Sequence, residues 1–221
     1  MTFAEKIADI RVLLDDTTAK YLCPDARIKS LINKEIQKIY DKIALAGRGT
    51  KVTYKEYTFR TDAVADSNYK KYALPDDFLS LVGEERDLVR LSGETWIPMS
   101  LVSGLNTTYH TVSEGTPSQY DVEGEFFYID RAPSNADTAK FYYIPKFVKL
   151  SADEDVLPFP DDYGDSISTY VLYMLKIMAN AEQNLIYAIK SELNDERKNL
   201  NSKIKRGRPF KRIIYDPGNG D

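Results

Sequence analysis

From Asp25 to Phe59 the chain reads DARIKSLINKEIQKIYDKIALAGRGTKVTYKEYTF, and the hydrophobic period changes within it. Ile28, Leu31, Ile32, Ile36, Ile39, Tyr40 and Ile43 fall on one stripe of an amphipathic helix. Asp25, after Pro24, supplies an N-cap and Gly47 a stop, so the spacing predicts a helix over 26–46. At 1.5 Å per residue it would be about 30 Å long, enough to organise a bundle. Beyond Gly47 the pattern alternates, and Val52-Thr53-Tyr54-Lys55-Glu56-Tyr57-Thr58-Phe59 reads as a strand.

Upstream, Thr2 and Glu5 have the spacing of a capping box, and Phe3, Ile7, Ile10 and Leu14 follow at helical intervals. A short helix is expected from 3 to 16, ended by Asp15-Asp16-Thr17-Thr18. Downstream, from Thr50 to Pro160, short alternating runs lie between turn residues. Ser80–Val82, Leu88–Leu91, Trp96–Met99, Phe126–Asp130 and Lys140–Ile144 read as strands. Gly93-Glu94, Gly115-Thr116-Pro117, Gly124 and Pro133-Ser134-Asn135 separate them. The helical period then returns with Ile167, Tyr170, Val171, Met174, Leu175 and Met178, and again with Leu185, Ile189, Leu193, Leu200 and Ile204. Asn180-Ala181-Glu182-Gln183-Asn184 can turn between two helices, although one continuous helix fits the same pattern.

The expected fold is therefore α+β. A four-helix unit is built from residues 1–48 and the hairpin 161–206, an antiparallel β domain is inserted at 49–160, and an extended tail covers 207–221. The tail contains Pro209, Pro217 and three glycines and has no sustained period. Its Phe210, Ile213, Ile214 and Tyr215 are too apolar for a purely solubilising end and imply docking onto a neighbour.

Composition narrows the function. The 221 residues are 43% hydrophobic and 29% charged, the balance of a globular protein. No apolar run reaches the roughly 18 residues of a membrane span, and the richest, Ile167–Ala181, is broken by Lys176, so no membrane partner is expected. The opening Met1-Thr2-Phe3-Ala4-Glu5-Lys6 does not have the layout of a signal peptide, so export by that route is not expected. One cysteine, Cys23, and one histidine, His110, leave little for a zinc, haem or Cys/His catalytic site, and neither a metal nor another cofactor is expected. The net charge of −4 disfavours nucleic-acid binding through overall charge. With 16 tyrosines and 9 phenylalanines against 1 tryptophan, the aromatic content suits either a β core or protein interfaces.

Paired carboxylates, the minimum equipment for glycoside hydrolysis or magnesium chemistry, occur at Asp15-Asp16, Asp76-Asp77, Asp153-Glu154-Asp155 and Asp161-Asp162. Each lies beside a helix or turn boundary, where capping accounts for it. His110, with Ser113 nearby, sits in a polar loop without a nucleophile elbow, and the chain contains no phosphate loop or dinucleotide fingerprint. No catalytic residue is assigned, and an enzyme is not expected. The strong charge asymmetry is the basic run Lys203, Lys205, Arg206, Arg208, Lys211 and Arg212, with no acidic residue between Arg197 and Asp216. Within it Arg206-Gly207-Arg208-Pro209 is similar to the core of an AT-hook, so a tail that meets DNA phosphates and one that meets an acidic protein fit the same residues.

Several phrases, taken in order, resemble the head-to-tail adaptor proteins of tailed bacteriophages, in particular the portal-binding rings of short-tailed phages. They are Tyr72-Ala73-Leu74-Pro75-Asp76-Asp77-Phe78, Gly115-Thr116-Pro117-Ser118-Gln119-Tyr120, Phe127-Tyr128-Ile129-Asp130-Arg131-Ala132-Pro133, Phe141-Tyr142-Tyr143-Ile144-Pro145, and the approach Asp153–Asp162 to a helical hairpin. The stretch Leu101–Ser113 has no clear counterpart in the family. The resemblance implies a non-enzymatic structural virion protein at the portal vertex or neck, assembled in the host cytoplasm. It would form a dodecameric ring under the portal, continue the DNA channel and offer a surface for tail attachment. Its partners would be other copies of itself, the portal protein, and tail proteins of the nozzle or a further ring, with genomic DNA only as passing cargo. The candidate portal-binding tail comprises Arg206, Arg208, Phe210, Lys211, Arg212, Ile213, Ile214 and Tyr215. A DNA-binding accessory protein acting through that basic tail is the alternative, and a small hydrolase or carbohydrate-binding domain is a third reading.

Overall fold

The computed structural model describes residues 1–15, 23–45, 51–82, 87–107, 110–111, 113–158, 164–179, 181–206 and 213–214. The capping box at its start is formed. Thr2 Oγ1 accepts the Glu5 amide at 3.2 Å and Glu5 Oε2 accepts the Thr2 amide at 2.7 Å, which starts α1, Phe3–Leu13. This helix stops short of the expected residue 16, because Leu14 caps it and Asp15 turns into the left-handed region at φ 55°. Helix α2 is Asp25–Leu45, and the later hairpin is α3, Gly164–Met178, and α4, Gln183–Arg206, so the helical stretch is interrupted and not continuous.

Between the helix pairs lie β1 (Lys51–Thr58), β2 (Lys71–Ala73), β3 (Phe78–Leu81), β4 (Leu88–Ser92) and β5 (Thr95–Pro98). They are followed by β6 (Ser100–Leu101), a 3₁₀ turn at Leu105–Thr107, β7 (Gln119–Glu123), β8 (Phe126–Ile129) and β9 (Thr138–Pro145). A last short strand, β10 (Ile213–Ile214), comes after α4. Four helices with strands inserted between them make an α+β fold.

Two compact units are present: residues 1–50 with 147–211, and residues 51–146 with 212–221. In the first, α1, α2 and α4 all pack on α3. Phe3, Ile10, Ile28, Ile32, Ile36, Ile167 and Val171 lose all solvent exposure there, and α4 adds Ile189, Leu193, Leu200 and Ile204 along its buried stripe. Asn33 of α2 bonds the Leu150 backbone in both directions, at 3.0 and 2.8 Å, and holds the segment after Phe147 along the helix.

In the second unit one sheet has the order β10-β1-β9-β4-β5, with β3 also paired to β9, and the other has the order β2-β8-β7-β6. Aromatic rings from both sheets fill the space between. Phe127 stacks on Phe141 at 5.2 Å and on Tyr72 at 5.0 Å, with Tyr57 edge-on to Phe127 at 5.0 Å. The tight hairpins are made by glycine at the first of two turn residues: Gly93, φ +60°, joins β4 to β5 and Gly124, φ +62°, joins β7 to β8.

The sheets depart from the antiparallel expectation in two places, since β6 pairs with β7 and β10 with β1 in parallel. Strands β2 and β6 are too short to carry an alternation. Strand β7 is hidden in the sequence by Asp121, a buried carboxylate that accepts the amides of Gly104 at 2.7 Å and Leu105 at 3.1 Å.

Candidate functional site

Most of the residues singled out for chemistry are committed to structure. Asp77 Oδ1 accepts the Tyr143 hydroxyl at 2.6 Å, its carbonyl accepts the Lys146 amide at 2.6 Å, and the Asp76 carbonyl accepts Lys146 Nζ at 2.8 Å. This pair therefore ties the entry of β3 to the end of β9. Burial first, and then the Asp77 hydrogen bond and charge, push the Tyr143 phenol well above its ordinary range. Asp155 Oδ2 closes a turn on the amides of Ser151 at 2.7 Å and Ala152 at 2.9 Å. Asp153 pairs with Lys29 at 2.6 Å, and Lys29 is held above its usual pKa by that hydrogen bond first. Asp15 is exposed beyond the end of α1, while Asp16 and the Asp161-Asp162 pair lie outside the described residues.

His110 is exposed, and its carbonyl accepts the Asn68 amide group at 2.8 Å. The Ser113 hydroxyl donates to the Asp130 carbonyl at 3.3 Å, so it is used within the loop. Among the described residues no group of three or more His, Cys, Asp or Glu side chains could hold a metal ion.

Of the tail candidates, Arg206 is the last residue of α4, and Ile213 and Ile214 form β10 beside Lys51 and Val52 of β1. Arg208, Phe210, Lys211, Arg212 and Tyr215 lie outside the described residues. The one described piece of the tail is thus a parallel edge strand on the chain's own sheet.

What the sequence reading missed is surface. On one face of the first sheet Tyr54 of β1 meets Tyr142 of β9 at 5.5 Å. Lys140 lies over Tyr54 at 4.4 Å and over Trp96 at 4.9 Å, and pairs with Glu56 at 3.3 Å. On the helical unit Val12, Leu13, Ile177, Met178, Leu185 and Tyr187 are all exposed. Val12, Leu13, Ile177 and Tyr187 lie off the apolar stripes of the sequence, whereas Met178 and Leu185 stand on them and are exposed nonetheless, at the end of α3 and the start of α4.

Among the described residues the paired acids serve a strand end, an ion pair and a turn, and apolar and aromatic side chains are exposed on the surface. Residues 1–212 match the SU10 adaptor protein family, and the chain belongs to that family. Membership makes it a structural bacteriophage adaptor and a component of the virion, consistent with a head-to-tail adaptor. No curated protein matches the chain. Among the described residues no helix is long and apolar enough to cross a membrane.

Proposed function

We propose that copies of the chain join as a dodecameric ring beneath the portal, continue the DNA channel and present the surface to which the tail attaches. The observation that carries this reading is the match to the SU10 adaptor protein family over residues 1–212. Exposed apolar residues on the helices and an aromatic strip on a sheet face support it, because such surfaces are what subunits bury on assembly.

In this reading Arg206, Arg208, Phe210, Lys211, Arg212, Ile213, Ile214 and Tyr215 bind the portal. The strand β10 supports a role in docking by strand addition. Among the described residues it pairs with Lys51 and Val52, which places this part of the tail as an added edge strand. Docking of this tail then couples ring assembly to a completed head.

The test is the native mass of the purified protein, alone and mixed with the portal protein of the same phage. A ring-sized complex with portal, lost when residues 207–221 are deleted, is the expected result. A protein that stays monomeric beside a well-formed portal ring overturns the reading.

A further inference from the structure

The large exposed apolar residues of α1, α3 and α4 are gathered at one end of the helical unit. Arg11, in the last turn of α1, donates from Nε to Asp25 at 3.1 Å and from Nη2 to the Cys23 carbonyl at 3.1 Å, which fixes the end of α1 against the start of α2. Arg27, in the first turn of α2, donates to Met178 Sδ at 3.3 Å, which brings in the end of α3, and α4 starts directly after that turn. At this end Val12 is 68% exposed, Leu13 53% and Tyr187 58%.

These residues form two different shapes. Val12 and Leu13 project from α1 as a knob, whereas Tyr173, Ile177, Ala181, Ile186 and Tyr187 line a groove between α3 and α4. Both α1 and α4 pack on α3 without comparable packing on each other, so knob and groove lie on separate flanks of α3. Two unlike surfaces at the same level of a molecule generate a head-to-tail contact that repeats from copy to copy, and closes when the rotation permits. Their charges are also opposite. The exposed charged residues of α1 and its cap are the carboxylates Glu5, Asp9 and Asp15, whereas Lys6 and Arg11 are buried. The charged residue lining the groove is Lys190.

We infer that each copy seats Val12 and Leu13 in the α3–α4 groove of the next copy, with Lys190 of the receiving copy facing Asp9 and Asp15. The inference rests on the ring reading and names the surfaces that build the ring. Two apolar side chains move from water into a groove, and one rim lysine opposite two carboxylates steers the approach.

The experiment uses the full chain with its portal protein, and cysteine pairs placed in a Cys23→Ser background. Leu13→Cys combined with Ile177→Cys, and Leu13→Cys combined with Tyr187→Cys, substitute exposed positions, so folding is retained. A disulfide within one copy leaves the mass of a single chain, whereas one between copies adds whole chains to it, so denaturing electrophoresis without reductant separates the two. The expected result is a ladder of covalently joined copies after oxidation of the assembled ring. In parallel, the double change Val12→Asp and Leu13→Asp should weaken association at least about tenfold, since it removes two buried apolar groups. Rings that form without a ladder from either pair, and that survive the double aspartate change, overturn the inference and leave the ring reading standing. A double aspartate variant whose copies still join but no longer hold the portal assigns the knob to the portal and also overturns it. A wild-type chain that never assembles removes the ring reading itself.

Discussion

Arg197 of α4 holds Glu35 of α2 with two donors on one oxygen, Nη2 at 2.6 Å and Nε at 3.2 Å from Oε1. The carboxylate is only 2% exposed, its second oxygen accepts Lys38 at 3.3 Å, and both cations lie against the ring of Tyr170 on α3. A buried carboxylate needs every partner it has, and here the partners come from two helices that are distant in sequence.

Arg197→Ala should therefore lower stability by about 2–3 kcal/mol, less than the loss of a wholly buried pair because Arg197 is partly exposed and Lys38 remains. Glu35→Met combined with Arg197→Met should recover most of the loss, since no charge is then left buried. Urea unfolding of the wild type and the two variants checks both statements. A single change that costs nothing would show that the pair holds no helix in place.

The aromatic stack of the second unit has a different character. Phe127 is fully buried, and the rings of Phe141 and Tyr72 lie nearly parallel to its own, at 8° and 14°, so Phe127→Ala leaves a cavity between two sheets. The expected loss is about 3–5 kcal/mol, and Phe127→Leu should cost less than half of that. Near-ultraviolet circular dichroism during urea unfolding reports the aromatic environment directly. Equal losses for the two variants would contradict a packing origin.

Helix periodicity and turn chemistry carried most of the fold. The stripe through Ile28, Ile32, Ile36 and Ile39 is fully or almost fully buried, and Gly93 and Gly124 make the turns that their neighbours demanded. Strands β2, β6 and β10 escaped because two or three residues have no period, and β7 because Asp121 serves the backbone of a distant loop. Glu35 looked like one more polar residue on an amphipathic helix. Nothing local distinguishes it, since its partner Arg197 arrives from another helix. The tail candidates were legible as a basic, semi-apolar run, yet the placing of Ile213 beside Lys51 depends on tertiary register that no local pattern encodes.

Burial lifts the Tyr72 phenol to about 12, and it moves Tyr57, Tyr120 and Tyr143 in the same direction. A raised folded pKa means that the neutral phenol is the form the core accepts. The stability it contributes is intact below the unfolded value near 10 and is lost as pH rises through the folded one. Exposed tyrosines should ionise first with the sheets intact. The buried group should then ionise together with unfolding of the β unit, at about pH 11–12. Phenolate absorbance and circular dichroism, recorded on the same alkaline titration, test this. Complete ionisation near pH 10 with the strand signal unchanged would refute it.

Glu196 of α4 carries the same sign into the acid range, as a charge that the fold tolerates poorly. Its Oε1 accepts the Thr169 hydroxyl at 2.9 Å, but Oε2 is buried without a hydrogen-bond partner. Burial first, then the nearby Glu192 and Asp165, push its pKa up, against the Thr169 hydrogen bond and the charge of Lys6. Because the folded value is raised, the folded protein binds the proton more tightly than the unfolded chain. The associated stability is present at acid pH and is lost as pH rises through the folded pKa. Glu196→Gln keeps the acceptor for Thr169 and removes the charge, so it should be more stable than the wild type at pH 7. That advantage should shrink as pH falls and the wild-type carboxyl takes up its proton, which the raised pKa places above the ordinary glutamate range. Thermal unfolding of both proteins from pH 7 downward reads the difference directly. A glutamine variant less stable at pH 7 would mean that the attraction between Glu196 and Lys6 outweighs the cost of burying the carboxylate, with Glu192 and Asp165 too well solvated to matter.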